Sequence, residues 1–138
     1  MTGGAPRARR RSQARRRGKT KKRRAWRFGR MAETLCVWHL RLRGYRILAR
    51  GFRVPVGEID IVARRGRTLA VIEVKARDTF ATAIDALGPR QQRRIARAAA
   101  AFLRARPGCA GLDVRFDMMV VLPWRLPVHL TDAWRSEG

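Results

Sequence analysis

Acidic residues are scarce in this chain: 10 Asp and Glu stand against 33 Lys and Arg in 138 residues, a net charge of +23. A chain so basic points to a nucleic acid as its substrate. Cysteine is equally sparse. Cys36 and Cys109 are the only two, each among apolar or small residues. They exclude a disulfide framework and read as reduced packing cysteines of a cytosolic protein. No Cys/His spacing suits zinc, and His39 and His129 stand alone as structural histidines. Long apolar runs are missing too. Leu35-Cys36-Val37-Trp38 is too short for a secretory h-region, and no stretch reaches transmembrane length. The expected location is the cytoplasm, without a membrane partner.

The charge is unevenly spread. Residues 1–30 hold 14 basic side chains and no acid, whereas the remainder carries 19 basic and 10 acidic ones. The expectation is a basic, disordered tail over residues 1–28 and one domain over 29–138. Such a tail binds phosphate backbones without sequence preference and with steep salt dependence. Translation from Met31 would leave it out altogether. Aromatic–basic clusters at Trp26-Arg27-Phe28, Trp124-Arg125 and Trp134-Arg135 have the chemistry to stack bases, and equally that of core or rim residues.

Periodicity predicts an α/β domain. Ala32, Leu35, Cys36, His39 and Leu40 recur at helical spacing over 29–43, ended by Gly44. Tyr45–Val54 reads as a strand closed by Pro55. Residues 56–63 and 69–76 read as a hairpin around Gly66, and 77–88 as an irregular crossover. Gly88-Pro89 opens a second helix with a core stripe of Ile95, Ala98, Ala99, Phe102 and Leu103. Arg90, Arg93, Arg94, Arg97 and Arg104 line its other side. A strand follows over 112–122, and 128–133 adds an edge strand.

The hairpin carries the chemistry. A turn centred on Arg65-Gly66 pairs Glu58 with Glu73 and Asp60 with Val71, and places Glu58, Asp60, Glu73 and Lys75 on one face. Asp60 and Glu73 are then diagonal neighbours, roughly 7–8 Å apart along the backbone. Ile59, Ile61, Ala63, Ala70, Ile72 and Val74 form the core face behind them. Crowded acids need a neutralising partner. Two readings remain open at this point: a divalent cation, or Arg64, Arg67 or Arg77 neutralising a solvated face.

Gly57-Glu58-Ile59-Asp60 and Glu73-Val74-Lys75, with Glu33 on the preceding helix and Arg115-Phe116-Asp117 beyond, resemble the YraN family of small bacterial proteins. That family is similar to the PD-(D/E)xK restriction-endonuclease-like superfamily, in its Holliday-junction-resolvase-like branch. The resemblance covers residues 29–131. It implies a mixed β-sheet flanked by helices, in the order αβββαβ. It also implies Asp60, Glu73 and the Val74 carbonyl as metal ligands, Lys75 as an aid to the attacking water and Glu33 as a further catalytic acid. Glu58 and Gln91 are supporting residues. The pattern is departed from at His39 (tyrosine in the family), Gly51 (asparagine), Ala76 (threonine) and Gln91 (lysine), and no departure removes a metal ligand.

The function expected is Mg²⁺- or Mn²⁺-dependent phosphodiester hydrolysis of DNA, branched or junction DNA included. Arg77, Arg90, Arg93, Arg94 and Arg97 would track the backbone. The alternative is a non-catalytic protein that binds branched DNA or structured RNA. The resolvase likeness adds a homodimer as an option.

Overall fold

The computed structural model describes residues 29–136. The expected basic tail, with Trp26, Arg27 and Phe28, lies outside the described residues. The chain divides into two units, Met1–Met31 and Ala32–Gly138, and the second carries the sheet.

Helix α1 spans residues 29–42. Strands β1 (Arg46–Val54), β2 (Gly57–Arg65) and β3 (Thr68–Ala76) follow, then helices α2 (Phe80–Asp85) and α3 (Pro89–Ala105), a 3₁₀ turn at Pro107–Cys109, and strands β4 (Asp113–Val121) and β5 (Val128–Trp134). The five strands form one open sheet in sequence order. β3 and β4 are parallel and the other neighbours antiparallel. A parallel neighbour needs a crossover, and α2 and α3 supply it. The expected mixed sheet flanked by helices is the fold observed, with the edge strand present.

Each face of the sheet packs its own apolar layer. Ala32, Cys36, Val37 and Leu40 of α1 meet Ile61, Ala63, Ala70, Ile72 and Met119. On the other face, the α3 stripe of Ile95, Ala98, Ala99 and Phe102 meets Ile59, Val62, Leu69 and Val71. Ala83 of α2 caps Met118 and Val120. The crossover expected to be irregular contains α2 because Thr79 caps it, its hydroxyl accepting from the Thr82 amide at 3.1 Å.

Two details of the hairpin differ from expectation. Arg65 pairs with Thr68 and Ile61 with Ile72, so the turn centres on Gly66-Arg67 rather than Arg65-Gly66. Gly66 has φ +62° and Arg67 does not share that sign. That is a type II′ turn, with glycine at the first central position. The pairing therefore slips by two residues, which leaves every side chain on its face but changes its partner.

The second difference is a reversal of faces. Ile61 packs with α1, yet Ile59, two residues away, packs with α3. The neighbouring strand reverses at the same level, where Gly51 takes φ +61° between Arg50↔Ile61 and Phe52↔Ile59. Asp60 sits at the reversal in β2.

Candidate functional site

The corrected register sets Asp60 opposite Glu73 rather than diagonal to it. The β2–β3 ladder runs from Arg65↔Thr68 to Ile61↔Ile72. One step further, the Asp60 carboxylate takes the place of a backbone acceptor: its Oδ2 accepts from the Val74 amide at 2.8 Å. The main chain at the centre of Glu73-Val74-Lys75 is thereby tied to the Asp60 side chain.

Gln91, in the first turn of α3, closes the site from above. Its Nε2 donates to Glu73 Oε1 at 2.7 Å, and its Oε1 accepts from Lys75 Nζ at 3.0 Å. Lys75 Nζ lies 3.3 Å from the same Glu73 oxygen. Only one orientation of the amide serves both neighbours. The lysine and Glu73 are nearly enclosed, with 11% and 7% of their side-chain surfaces exposed.

Gly57 makes this closure possible. A Cβ at Gly57 would lie 2.0 Å from the Arg94 carbonyl oxygen and 2.7 Å from its carbon. Strand β2 and helix α3 thus touch backbone to backbone, which brings Gln91 down onto β3.

Burial and mutual repulsion dominate the electrostatics. Burial first, then the Asp60 charge, push Glu73 up to about 8, against the opposing pull of Lys75. Burial also raises Asp60, although the Val74 amide bond, the bond to Glu73 and Lys75 lower it and Glu58 raises it. One lysine facing a buried and a half-buried carboxylate leaves the pair holding a proton well above the ordinary carboxylate range. Cys36, below the pair, is no nucleophile: burial, Glu33 and Asp60 push its thiol up to about 12.

Glu33 is close enough to act on Cys36 and pairs with Arg50 at 3.4 Å. Glu58 does not join the enclosed cluster; it pairs with Arg53 at 3.0 Å on the exposed rim. Among the described residues no three Asp, Glu, His or Cys side chains converge as a metal set. Arg64, Arg67 and Arg77 do not neutralise the acids; they donate to the carbonyls of Gly66, Gly111 and Ala76. Arg90, Arg93, Arg94 and Arg97 are all exposed on α3.

Asp117 has a role that the sequence reading left undefined. It is fully buried. It accepts from Arg115 Nε at 2.8 Å, Arg115 Nη2 at 2.7 Å and the Asp132 amide at 2.9 Å, and its Oδ2 lies 2.7 Å from His129 Nε2. Arg115 also donates to the Tyr45 hydroxyl at 2.7 Å. Burial would raise Asp117, but the bonds from His129, Arg115 and the Asp132 amide hold it below the usual carboxylate range. This network joins β4, β5 and the start of β1. It also gives His129 the structural role expected of it.

The family described as "Uncharacterised protein family UPF0102" matches residues 32–121, which include the hairpin, Gln91 and Asp117. The chain belongs to this family, the YraN family. A UPF0102 protein of Parvibaculum lavamentivorans is 58% identical over 111 residues, 80% of this chain and 84% of that protein. One of Paramagnetospirillum magneticum is 53% identical over 117 residues, 82% and 91% of the two chains. One of Chelativorans is 47% identical over 113 residues, again 82% and 91%. The YraN family match ends at residue 121 and leaves out β5, which supplies His129 to the buried network.

In the metal-free protein the folded state keeps a proton at Glu73 between about pH 4.5 and about 8 that the unfolded chain releases. More protons bound in the folded state mean that stability falls as pH rises through that window. Glu73→Gln removes this titration and one of the repelling charges. In EDTA at pH 9 the variant should exceed the parent by at least about 1 kcal/mol, the scale of one pKa unit. Chemical denaturation at pH 5 and pH 9 measures it. A gap that does not widen between the two would show that Glu73 ionises normally.

Proposed function

We propose that this protein is a metal-dependent nuclease acting on DNA, with the Asp60–Glu73 pair as its centre. The observation that carries the reading is a buried Glu73 beside a half-buried Asp60, facing one lysine, on a protein of net charge +23. Enclosed like charges without full compensation are costly, and perturbed pairs of this kind concentrate at functional sites. The donor set is the oxygen chemistry that Mg²⁺ and Mn²⁺ take. Asp60 and Glu73 would hold the ion, with the Val74 carbonyl as a third donor. A bound ion neutralises the scissile phosphate and lowers the pKa of a water. Lys75 would stabilise developing negative charge or orient the water through its N–H groups, with Gln91 holding both Lys75 and Glu73 in place. The exposed arginines of α3 neutralise phosphates along the strand.

Binding without cleavage is the second reading. It is favoured by one observation: among the described residues no third acid converges on the pair as a metal set, and Glu58 and Glu33 each pair with an arginine. Branched DNA or structured RNA would then be held rather than cut.

Metal binding separates the two before any assay of cleavage. Mg²⁺ or Mn²⁺ should raise the melting temperature of the DNA-free protein, because an ion relieves the repulsion. Metal at about a hundred times its Kd adds about 2.7 kcal/mol. Below about pH 8 the ion must displace a proton from Glu73, so its affinity should climb with pH up to that point. Calorimetry in two buffers of different ionisation enthalpy reads the proton directly. A melting temperature indifferent to millimolar metal in parent and Asp60→Asn alike would favour the binding module.

A further inference from the structure

A groove of about 480 Å³ lies away from the acid pair, between α3 and the end of β5. Gln92, Arg93, Arg97, Trp134, Arg135 and Ser136 line it, and no carboxylate does among the described residues. Arg93 and Arg97 stand one turn apart, about 6 Å along the helix, and neither is in an ion pair among the described residues. Arg135 comes from the other wall; its contact with Asp132, 3.3 Å between exposed groups, is a weak tether.

Trp134 adds an independent observation. Its indole Nε1 is the one buried side-chain polar atom without a hydrogen-bond partner among the described residues. Buried donors in folded proteins are nearly always paired, and an unpaired one calls for an explanation. The ring stacks on Phe116 with centroids 4.2 Å apart. A phosphate oxygen in the groove would supply the acceptor that Nε1 lacks, with the ring turning from its stack on Phe116 to reach it. Cations on both walls and an indole donor lacking an acceptor describe a site for phosphate oxygens.

The groove and the acid pair both border the first turn of α3. Gln91 bonds Glu73 and Lys75, while its neighbour Gln92 lines the groove. We propose that the α3–β5 groove seats consecutive phosphodiesters of the DNA strand whose reacting phosphate lies at Asp60 and Glu73, with Arg93, Arg97 and Arg135 as its cations and Trp134 as a donor. This rests on the nucleic-acid reading above and adds the path of the strand. Free phosphate would meet the same donors singly, whereas a strand engages both walls.

The indole N–H resonance of Trp134 in the full chain tests this, assigned by its loss in Trp134→Phe. A DNA oligonucleotide should shift it, and inorganic phosphate at equal phosphate concentration should leave it nearly unmoved. Arg93→Gln/Arg97→Gln/Arg135→Gln, all at exposed positions, should abolish the shift. That variant should also lower the slope of log affinity against log salt by about 2–3, at 0.7–0.9 per phosphate contact. Arg41→Gln/Arg46→Gln/Arg125→Gln, an equal loss of charge elsewhere, should keep the Trp134 shift. An unmoved Trp134 while other resonances respond to DNA would overturn the groove and leave the nuclease reading standing. An equal response to inorganic phosphate would make the groove an isolated anion site and overturn the strand path. No DNA binding at all would overturn both readings.

Discussion

Asp117→Ala should cost about 3–5 kcal/mol of stability, the range for removing one partner of a buried ion pair. Asp117 is wholly enclosed and satisfies two Arg115 nitrogens and the Asp132 amide, with His129 against its second oxygen. Truncation leaves the Arg115 guanidinium, which is 22% exposed, without its carboxylate. It also frees an Asp132 amide in a residue held at φ +52°. For a domain of this size the melting temperature should fall by at least about 12 °C, at about 4 °C per kcal/mol. The pH dependence has a definite sign. Asp117 is held below its usual range, so its contribution is present above the unfolded pKa and is lost as pH falls through the folded one. Parent and variant should therefore converge at strongly acid pH. Denaturant titrations at neutral and acid pH measure this. A loss under 1 kcal/mol at neutral pH would mean that the network does not hold β4 to β5.

Gly57→Ala should cost about 3 kcal/mol, at the upper end of the range for overpacking. The new methyl would meet the Arg94 carbonyl at 2.0 Å, and the obstacle is backbone rather than a mobile side chain. Helix α3 must lift from β2. Gln91 then leaves Glu73 and Lys75, so the variant should lose function beyond its loss of stability. The signature is a separable pair of effects. Below the melting transition, where the variant remains folded, its metal-linked gain in melting temperature should still be smaller than the parent's. Gln91→Ala should reproduce the second effect with little of the first. A Gly57→Ala protein as stable as the parent would contradict the close approach of strand and helix.

Much of this architecture was legible because the governing patterns are local. The α3 stripe follows the helical period without interruption, and Ile95, Ala98, Ala99 and Phe102 are buried as that period requires. The acid hairpin was legible as a pair of strands with the right face, because a slip of two residues preserves parity. What failed was the partner assignment. Arg65-Gly66 as the turn centre makes Gly66 the second central residue, whereas a II′ turn uses it as the first. Strict alternation also failed between Ile59 and Ile61, since the positive φ at Gly51 reverses faces across two strands. A glycine inside a strand is the signal that could have raised this. Helix α2 was missed although Thr79-x-x-Thr82 offers a cap. Gly57 and Asp117 carried no local signature of their roles. One is defined by a helix residue 37 positions later in the chain, and the other by partners on β4 and β5.

The most direct measurement is cleavage of linear, flapped and four-way DNA by the full chain and by Asp60→Asn, in Mg²⁺, Mn²⁺ or EDTA. The amide keeps the shape of Asp60 and its bond to the Val74 amide but removes the ligand charge. The parent should cut at least one of these substrates with metal and none in EDTA. Asp60→Asn should bind DNA normally and cut it slower by about a hundredfold or more, the scale of removing one electrostatic stabiliser of a transition state. Cleavage by Asp60→Asn equal to that of the parent would contradict the site. DNA bound by the parent but cut under no condition would contradict the nuclease.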